Sequence, residues 1–368
     1  MIQERLTRRD VLASAAAVVL PTGVWGVERT TEEVAWLNEV QRAPLKVPQI
    51  GVELKSPLVG EDGKRLATLD EWQTQRRKIR DWWIAFLQPL ELPPSLPPPL
   101  TVMAEDKVDG IIRQLVRYQV ETRIWTEAYL LKPAKVSRQL PAVAVFHSTV
   151  SHSIRQPAGV EGRPEKAFGL KLAQRGYVTF CPRNFLWPTN HKIAANEETR
   201  RFHDRRPNSK GMAKMLHDAQ VAVDILCGLP EVDAERIGSV GHSLGAKEVL
   251  YLAALDERVK VTVSSEGGVG TGFSNWNAPW YLGSTIDDKS TFTHEHHELL
   301  ALAAPRPFLL LGGDSADGAR SWPFIESALP VYKLFGGKPR LGLFNHEKGH
   351  AVPPAAEKRI YEWMETYL

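Results

Sequence analysis

A serine hydroxyl becomes a nucleophile only where geometry and a base act together, and Gly241-His242-Ser243-Leu244-Gly245 supplies the geometry. The five residues lie between a strand-like run ending at Val240 and a helix-like stretch from about Ala246 to Ala254. A tight strand-to-helix turn strains the serine and lifts its oxygen above the sheet, while the flanking glycines let strand and helix pass closely. The Leu244 N–H, at the helix start, then faces a developing oxyanion. The same five letters also suit a plain glycine-rich turn, but the strand before and the helix after favour nucleophilic chemistry.

The base is expected last in the chain, on the loop after the final strand. Asn345-His346-Glu347-Lys348-Gly349-His350 follows the strand-like Arg340–Phe344, and His350 is the chosen base with His346 as its rival. An acid must orient that imidazole. Glu266 follows the run Val259–Val263, and Asp314 and Asp317 follow Pro307–Leu311; spacing leaves all three open. A second oxyanion donor is expected after the run Ala142–Phe146, from the backbone near Ser148 or Thr149. His147 and His152 in that loop read as structural polar residues.

These groups need a scaffold. Ile111–Val120 and Thr122–Leu131 read as a β-hairpin, and Ala142–Phe146 as a strand covered on both faces. Strands at Tyr177–Phe180, Arg236–Val240, Val259–Val263, Pro307–Leu311 and Arg340–Phe344 then alternate with helices at Glu165–Gln174, Met212–Leu226 and Ala246–Ala254; a last helix runs over Ala355–Leu368. The alternation predicts an α/β, mostly parallel, doubly wound sheet with an antiparallel start, its chemistry at the carboxyl ends of the strands. Before it, Leu69–Trp72 and Ile79–Ile84 each carry an apolar helical face. Six prolines between Pro89 and Pro99 make a stiff extended strap.

The stretch from Gly241 to Gly270 resembles the glucuronoyl esterase family, which has a nucleophile serine, a lysine four residues on and a glutamate 23 residues on; Ser243, Lys247 and Glu266 stand at those separations. The resemblance implies Glu266 as the triad acid and Lys247 as a substrate-contacting cation. Leu244 stands where that family usually has an arginine. From about Ala142 onward the chain is also similar to dienelactone-hydrolase-like and acetyl-xylan-esterase-like bacterial proteins, with Ala304-Pro305-Arg306-Pro307 leading into a strand. Together these imply an α/β-hydrolase fold, with a cap insertion after the strand that follows the nucleophile helix and an N-terminal helical extension. In the insertion, Trp276 and Trp280 offer flat faces that suit sugar rings or, equally, packing. Arg183, after another strand end, suits an acidic substrate or a surface salt bridge.

Composition narrows the rest. The 368 residues carry 46 basic and 43 acidic side chains, a net charge of +3 that gives no reason to expect nucleic acid as a partner. Two cysteines, Cys181 and Cys227, are too few for a disulfide framework and read as plain thiols, or as one bridge after export. Thr7-Arg8-Arg9-Asp10-Val11-Leu12 and the apolar run to Leu20 read as a twin-arginine signal within residues 1–28, hence a periplasmic or secreted protein; residues 29–100 form the extension and linker, and 101–368 the catalytic domain. No segment is long enough for a stable membrane span. His294 and His297 are spaced three apart, unlike the zinc pattern with histidines four apart, so Thr293–Glu298 reads as solvent-facing. No metal or organic cofactor is expected. The resulting expectation is a serine esterase acting with water on a small-molecule or carbohydrate ester. Peptidase, dienelactone-type lactonase and a silent carbohydrate-binding scaffold are its alternatives.

Overall fold

Apolar residues on both faces of a strand need cover on both sides, and the central strands show how the chain meets that need. The computed structural model describes residues 32–90 and 97–368. The signal-like segment and the middle of the proline strap lie outside the described residues. In chain order the elements are helices α1 (Leu37–Val40) and α2 (Leu69–Leu87), strands β1 (Thr101–Val108), β2 (Ile111–Glu121), β3 (Ile124–Pro133) and β4 (Leu140–Phe146), helix α3 (Phe168–Ala173), strand β5 (Val178–Pro182), helices α4 (Ala195–Arg205) and α5 (Gly211–Gly228), strand β6 (Val232–His242), helix α6 (Leu244–Leu255), strand β7 (Val259–Ser265), helix α7 (His297–Ala303), strand β8 (Phe308–Gly312), helix α8 (Trp322–Leu334), strand β9 (Leu341–Asn345) and helix α9 (Pro354–Tyr367).

The strands form one sheet in the order β1-β2-β3-β5-β4-β6-β7-β8-β9. The first three pair antiparallel, β3 meets β5 antiparallel, and every later pairing is parallel. In β4, Ala142, Ala144 and Phe146 enter the core layer under α5, α6 and α7, whereas Val143 and Val145 enter the opposite layer with α3 and α9. In β8, Phe308 and Leu310 split from Leu309 and Leu311 in the same way. Each Val, Leu or Phe among them contributes roughly 1.5–3 kcal/mol by leaving water. That two-sided burial holds the strand ends rigid beneath the loops they carry.

Three expectations are corrected. The opening hairpin is a three-stranded meander, because β1 adds an edge strand ahead of it. The helix expected at Glu165–Gln174 is a 3₁₀ turn at Pro164–Lys166 followed by α3, with Ala167 at φ −80°, ψ 49° breaking the run. Helix α4 was not expected. The two apolar stretches of the extension belong to one helix, α2, which starts with a Thr68/Glu71 capping box and buries Trp72, Ile79, Trp83 and Leu87. It packs on the insertion between β7 and β8: the Trp83 indole N–H donates to Glu298 at 2.8 Å, and the Trp82 and His294 rings stack 3.5 Å apart. Cys181 is buried, Cys227 half-buried, and both are free thiols. Among the described residues no helix is long and apolar enough to cross a membrane.

Candidate active site

Ser243 lies at the sharp turn from β6 into α6 with φ 61° and ψ −114°, a conformation that non-glycine residues adopt only under constraint. The constraint comes from close packing. A Cβ at Gly245 would strike the Phe146 carbonyl of β4, and one at Gly241 would strike the Gly245 carbonyl. The Ser243 N–H donates to Ser265 O at 2.8 Å, tying the turn to the end of β7.

Glu266 is the residue after that anchor. It too has positive φ, 57°, and its side chain is fully buried. One carboxylate oxygen accepts from the Gly313 N–H; the other accepts from the Ala316 N–H at 2.7 Å and lies 3.3 Å from His350 Nδ1. His350 is part-exposed, on the loop between β9 and α9, and its ring lies 4.7 Å from that of His242. His242 is buried: Lys166 donates to its Nε2 at 3.0 Å, so its Nδ1 donates to Ser265 Oγ at 3.0 Å. Burial and the Lys166 charge hold its pKa well below the usual histidine value, so it is a neutral wall beside His350. With Nδ1 of His350 facing Glu266, Nε2 is the nitrogen left for a hydroxyl.

Two backbone donors complete the arrangement. Among the described residues neither the Leu244 nor the Thr149 N–H has an acceptor. The Ser148 N–H does have one, donating to Gln156 Oε1 at 3.3 Å. Of the two positions expected from sequence, Thr149 is therefore the available donor. A serine on a strained turn, a histidine held by a buried carboxylate and two free N–H groups are what acyl transfer requires.

Residues 126–286 match the dienelactone hydrolase family. Over 283 residues the chain is 25% identical to the Bacillus subtilis protein named "Putative hydrolase YtaP", covering 73% of this chain and 92% of that protein. The solved glucuronoyl esterase from Solibacter usitatus superposes with a TM-score of 0.66 at 18% identity, over 87% of this chain and 98% of that one. The acetyl xylan esterase from Paenibacillus sp. R4 gives 0.53 at 16%, over 92% and 100%. The protein has the α/β-hydrolase fold.

Several residues singled out in the sequence stand elsewhere in this fold than expected. Lys247 is only 4% exposed: its ammonium donates to Gly267 O at 2.7 Å and lies 3.9 Å from the centre of the Trp276 ring, beneath the loop that carries Glu266. Burial pushes its pKa down to about 7. Trp276 is fully buried and donates to Gly268 O at 2.6 Å, so neither of its faces is open to a sugar; Trp280 is half-buried. Arg183 is buried rather than superficial, paired with Glu127 and with Asn190 Oδ1, and it lines a cavity of about 420 Å³. Asp314 is exposed, accepting from Asn345 Nδ2 at 3.0 Å. Asp317 is fully buried and accepts from Gly268 N–H, Val269 N–H and Ser321 Oγ, all within 2.8 Å. His346 Nδ1 accepts from the Lys348 N–H at 3.2 Å. The segment expected to face solvent is largely buried: His296 bridges Tyr251 and Val269 O, His297 meets Lys55 O, and Glu295 accepts from Thr271. Among the described residues no group of three metal-ligating side chains converges.

Sequence reading passed over Glu248 and Asn184. Glu248 is an acid in a helix whose every residue is buried, and that was its available signal. Its Oε1 accepts from Asn184 Nδ2 at 3.0 Å, and burial raises its pKa from 4.5 to about 8. A carboxyl whose folded pKa is raised contributes stability that is complete below about 4.5 and lost as pH rises to about 8. Glu248→Gln keeps the neutral acceptor and removes that loss. The variant is expected to gain roughly 5 °C over wild type between pH 5 and pH 8.5 in thermal denaturation. Parallel melting curves at both pH values would show that Glu248 is not protonated in the fold.

Proposed function

We propose that the chain is a serine esterase that cleaves a carboxylic ester through an acyl-enzyme. The observation that carries this reading is the buried Glu266 carboxylate facing His350 Nδ1, beside a Ser243 held at positive φ. Ser243 Oγ attacks the ester carbonyl while His350 Nε2 takes its proton. The N–H groups of Leu244 and Thr149 hold the oxyanion, each worth ~3 kcal/mol. The tetrahedral adduct collapses with His350 protonating the leaving alcohol; water, deprotonated by the same imidazole, then releases the acid and restores Ser243. Glu266 orients the imidazole and balances its transient positive charge.

The substrate we propose is an ester on a carbohydrate. It is supported by the likeness to glucuronoyl and acetyl xylan esterases and by the Arg8-Arg9 signal pattern, which suits an exported enzyme. The match over residues 126–286 favours one other substrate, a lactone, which is an internal ester opened by the same steps. Rapid quenching with p-nitrophenyl acetate is expected to trap an acetyl group on the peptide containing Ser243, with turnover on acetylated xylan, methyl glucuronate or a dienelactone naming the class. Hydrolysis without a trapped acyl-enzyme under any quench would refute the covalent route.

A further inference from the structure

We infer that His147, Asn184 and Glu248 form a brace that fixes the two oxyanion donors relative to each other, making His147 a positioning residue of the esterase; the inference rests on the reading proposed above. The brace starts on α6, whose first N–H, that of Leu244, is one donor. Glu248, on the next turn of that helix, accepts from Asn184 Nδ2 at 3.0 Å. The Asn184 backbone N–H donates to His147 Nε2 at 3.1 Å, and the Asn184 side-chain oxygen accepts from the Leu186 N–H at 3.0 Å. Because Nε2 of His147 is the acceptor, its proton sits on Nδ1, which donates to Ser148 O at 2.7 Å. Burial lowers the pKa of this ring to about 4, so that tautomer persists at neutral pH.

The last link is a property of the peptide bond. A trans peptide is planar, and its C=O and N–H point in opposite directions. Ser148 C=O and Thr149 N–H belong to one peptide unit. Once Ser148 O is held by His147 Nδ1, and by the Val150 N–H at 2.9 Å, Thr149 N–H points the other way, on an exposed loop residue. The Trp187 ring meets the His147 ring edge-on at 4.7 Å, and its own N–H donates to Val150 O at 2.8 Å, which closes the loop from behind. All three members of the brace are at most 3% exposed. A buried chain of this kind is rigid when every member is satisfied.

The test reads the oxyanion directly. A p-nitrophenyl alkylphosphonate forms a bond from Ser243 Oγ to phosphorus and expels p-nitrophenolate through a charged adduct, whichever ester is the natural substrate. His147→Phe fills the space without a donor and is expected to slow this phosphonylation by about 10–100-fold. With p-nitrophenyl acetate its kcat should fall while KM holds. His147→Asn returns an amide N–H at the same bond count from Cα as Nδ1, and is expected to recover to within about 3-fold of wild type. A His147→Phe protein that melts like wild type and is phosphonylated within about 2-fold of its rate would overturn the brace and leave the esterase standing. If that variant does not fold, Asn184→Ala carries the same test, with at least about 5-fold slowing expected and unchanged labelling again overturning the proposal. Wild type that is never labelled at Ser243 would overturn the esterase reading itself, and the brace with it.

Discussion

Ser243→Ala is expected to lower kcat for ester hydrolysis by at least about 10⁴-fold and to leave KM and melting temperature close to wild type. The side chain carries no structural duty: among the described residues its hydroxyl makes no hydrogen bond, while its backbone N–H, retained in alanine, anchors the turn to Ser265 O. Alanine is as compatible as serine with φ 61°, so the strain is unchanged and only the oxygen is lost. His350→Ala should fall as far, and the double variant no further, because nucleophile and base act as one unit. The donors Leu244 N–H and Thr149 N–H remain in all three variants, so a residual rate above that of water is expected from them alone. Activity in Ser243→Ala above about one per cent of wild type would mean that another group, or a water activated by His350, attacks the ester.

The contrast between what was legible and what was not follows from which residues repeat. Strands β4, β5, β7, β8 and β9 are short and mostly buried on both faces, as is the second half of β6, and most helices between them carry long buried stripes, so the alternation and the turn at Ser243 stand out in one sequence. Strand β1 is exposed at almost every residue and has no period to read. Helix α4 buries only Thr199 and Phe202 and draws on exposed pairs such as Arg201 with Glu197, a pattern that polar loops share. Lys247 and the His294–Glu298 segment lie elsewhere than expected, and Trp276 takes the packing one of its two expected places, for another reason. Spacing places a lysine one turn after the serine and tryptophans in an insertion, but the direction each side chain takes depends on the fold of that insertion. Here the insertion folds inward. Lys247 takes Gly267 O, Trp276 takes Gly268 O and His296 takes Val269 O, so groups that suit a substrate or a metal serve to hold the backbone that carries Glu266. His147 was read as structural, and it is buried in a hydrogen-bonded chain; only the partner at Ser148 O makes its role specific.

The same inward-facing clamp holds the loop that sets Glu266 against His350, and the second large effect follows from it. Glu266→Gln is expected to reduce kcat by about 10³–10⁴-fold, since an amide beside His350 Nδ1 no longer holds the tautomer that leaves Nε2 free to accept a proton. Gln also sets an NH₂ against the Gly313 or Ala316 N–H, both of which now donate to the carboxylate. Asp314→Asn should stay within about 3-fold of wild type, because Asp314 is solvent-facing and bonds Asn345 and the Ala319 N–H rather than the histidine. Asp317 occupies the position where this fold often carries its acid, yet its oxygens are taken by Gly268 N–H, Val269 N–H and Ser321 Oγ. Asp317→Asn removes one of those acceptors, so it should lower stability by about 1–3 kcal/mol, with a modest loss of kcat. Rate and stability together separate an orienting acid from a structural one: Asp317→Asn should lose stability out of proportion to its rate, whereas Glu266→Gln should lose rate out of proportion to its stability. The reverse result, a dead Asp317→Asn with a wild-type melting curve beside a Glu266→Gln variant keeping more than about a tenth of the rate, would move the acid to the end of β8. It would also require the loop from Gly312 to Gly318 to rearrange before each turnover, since only then does the Asp317 carboxylate leave the three donors that now hold it.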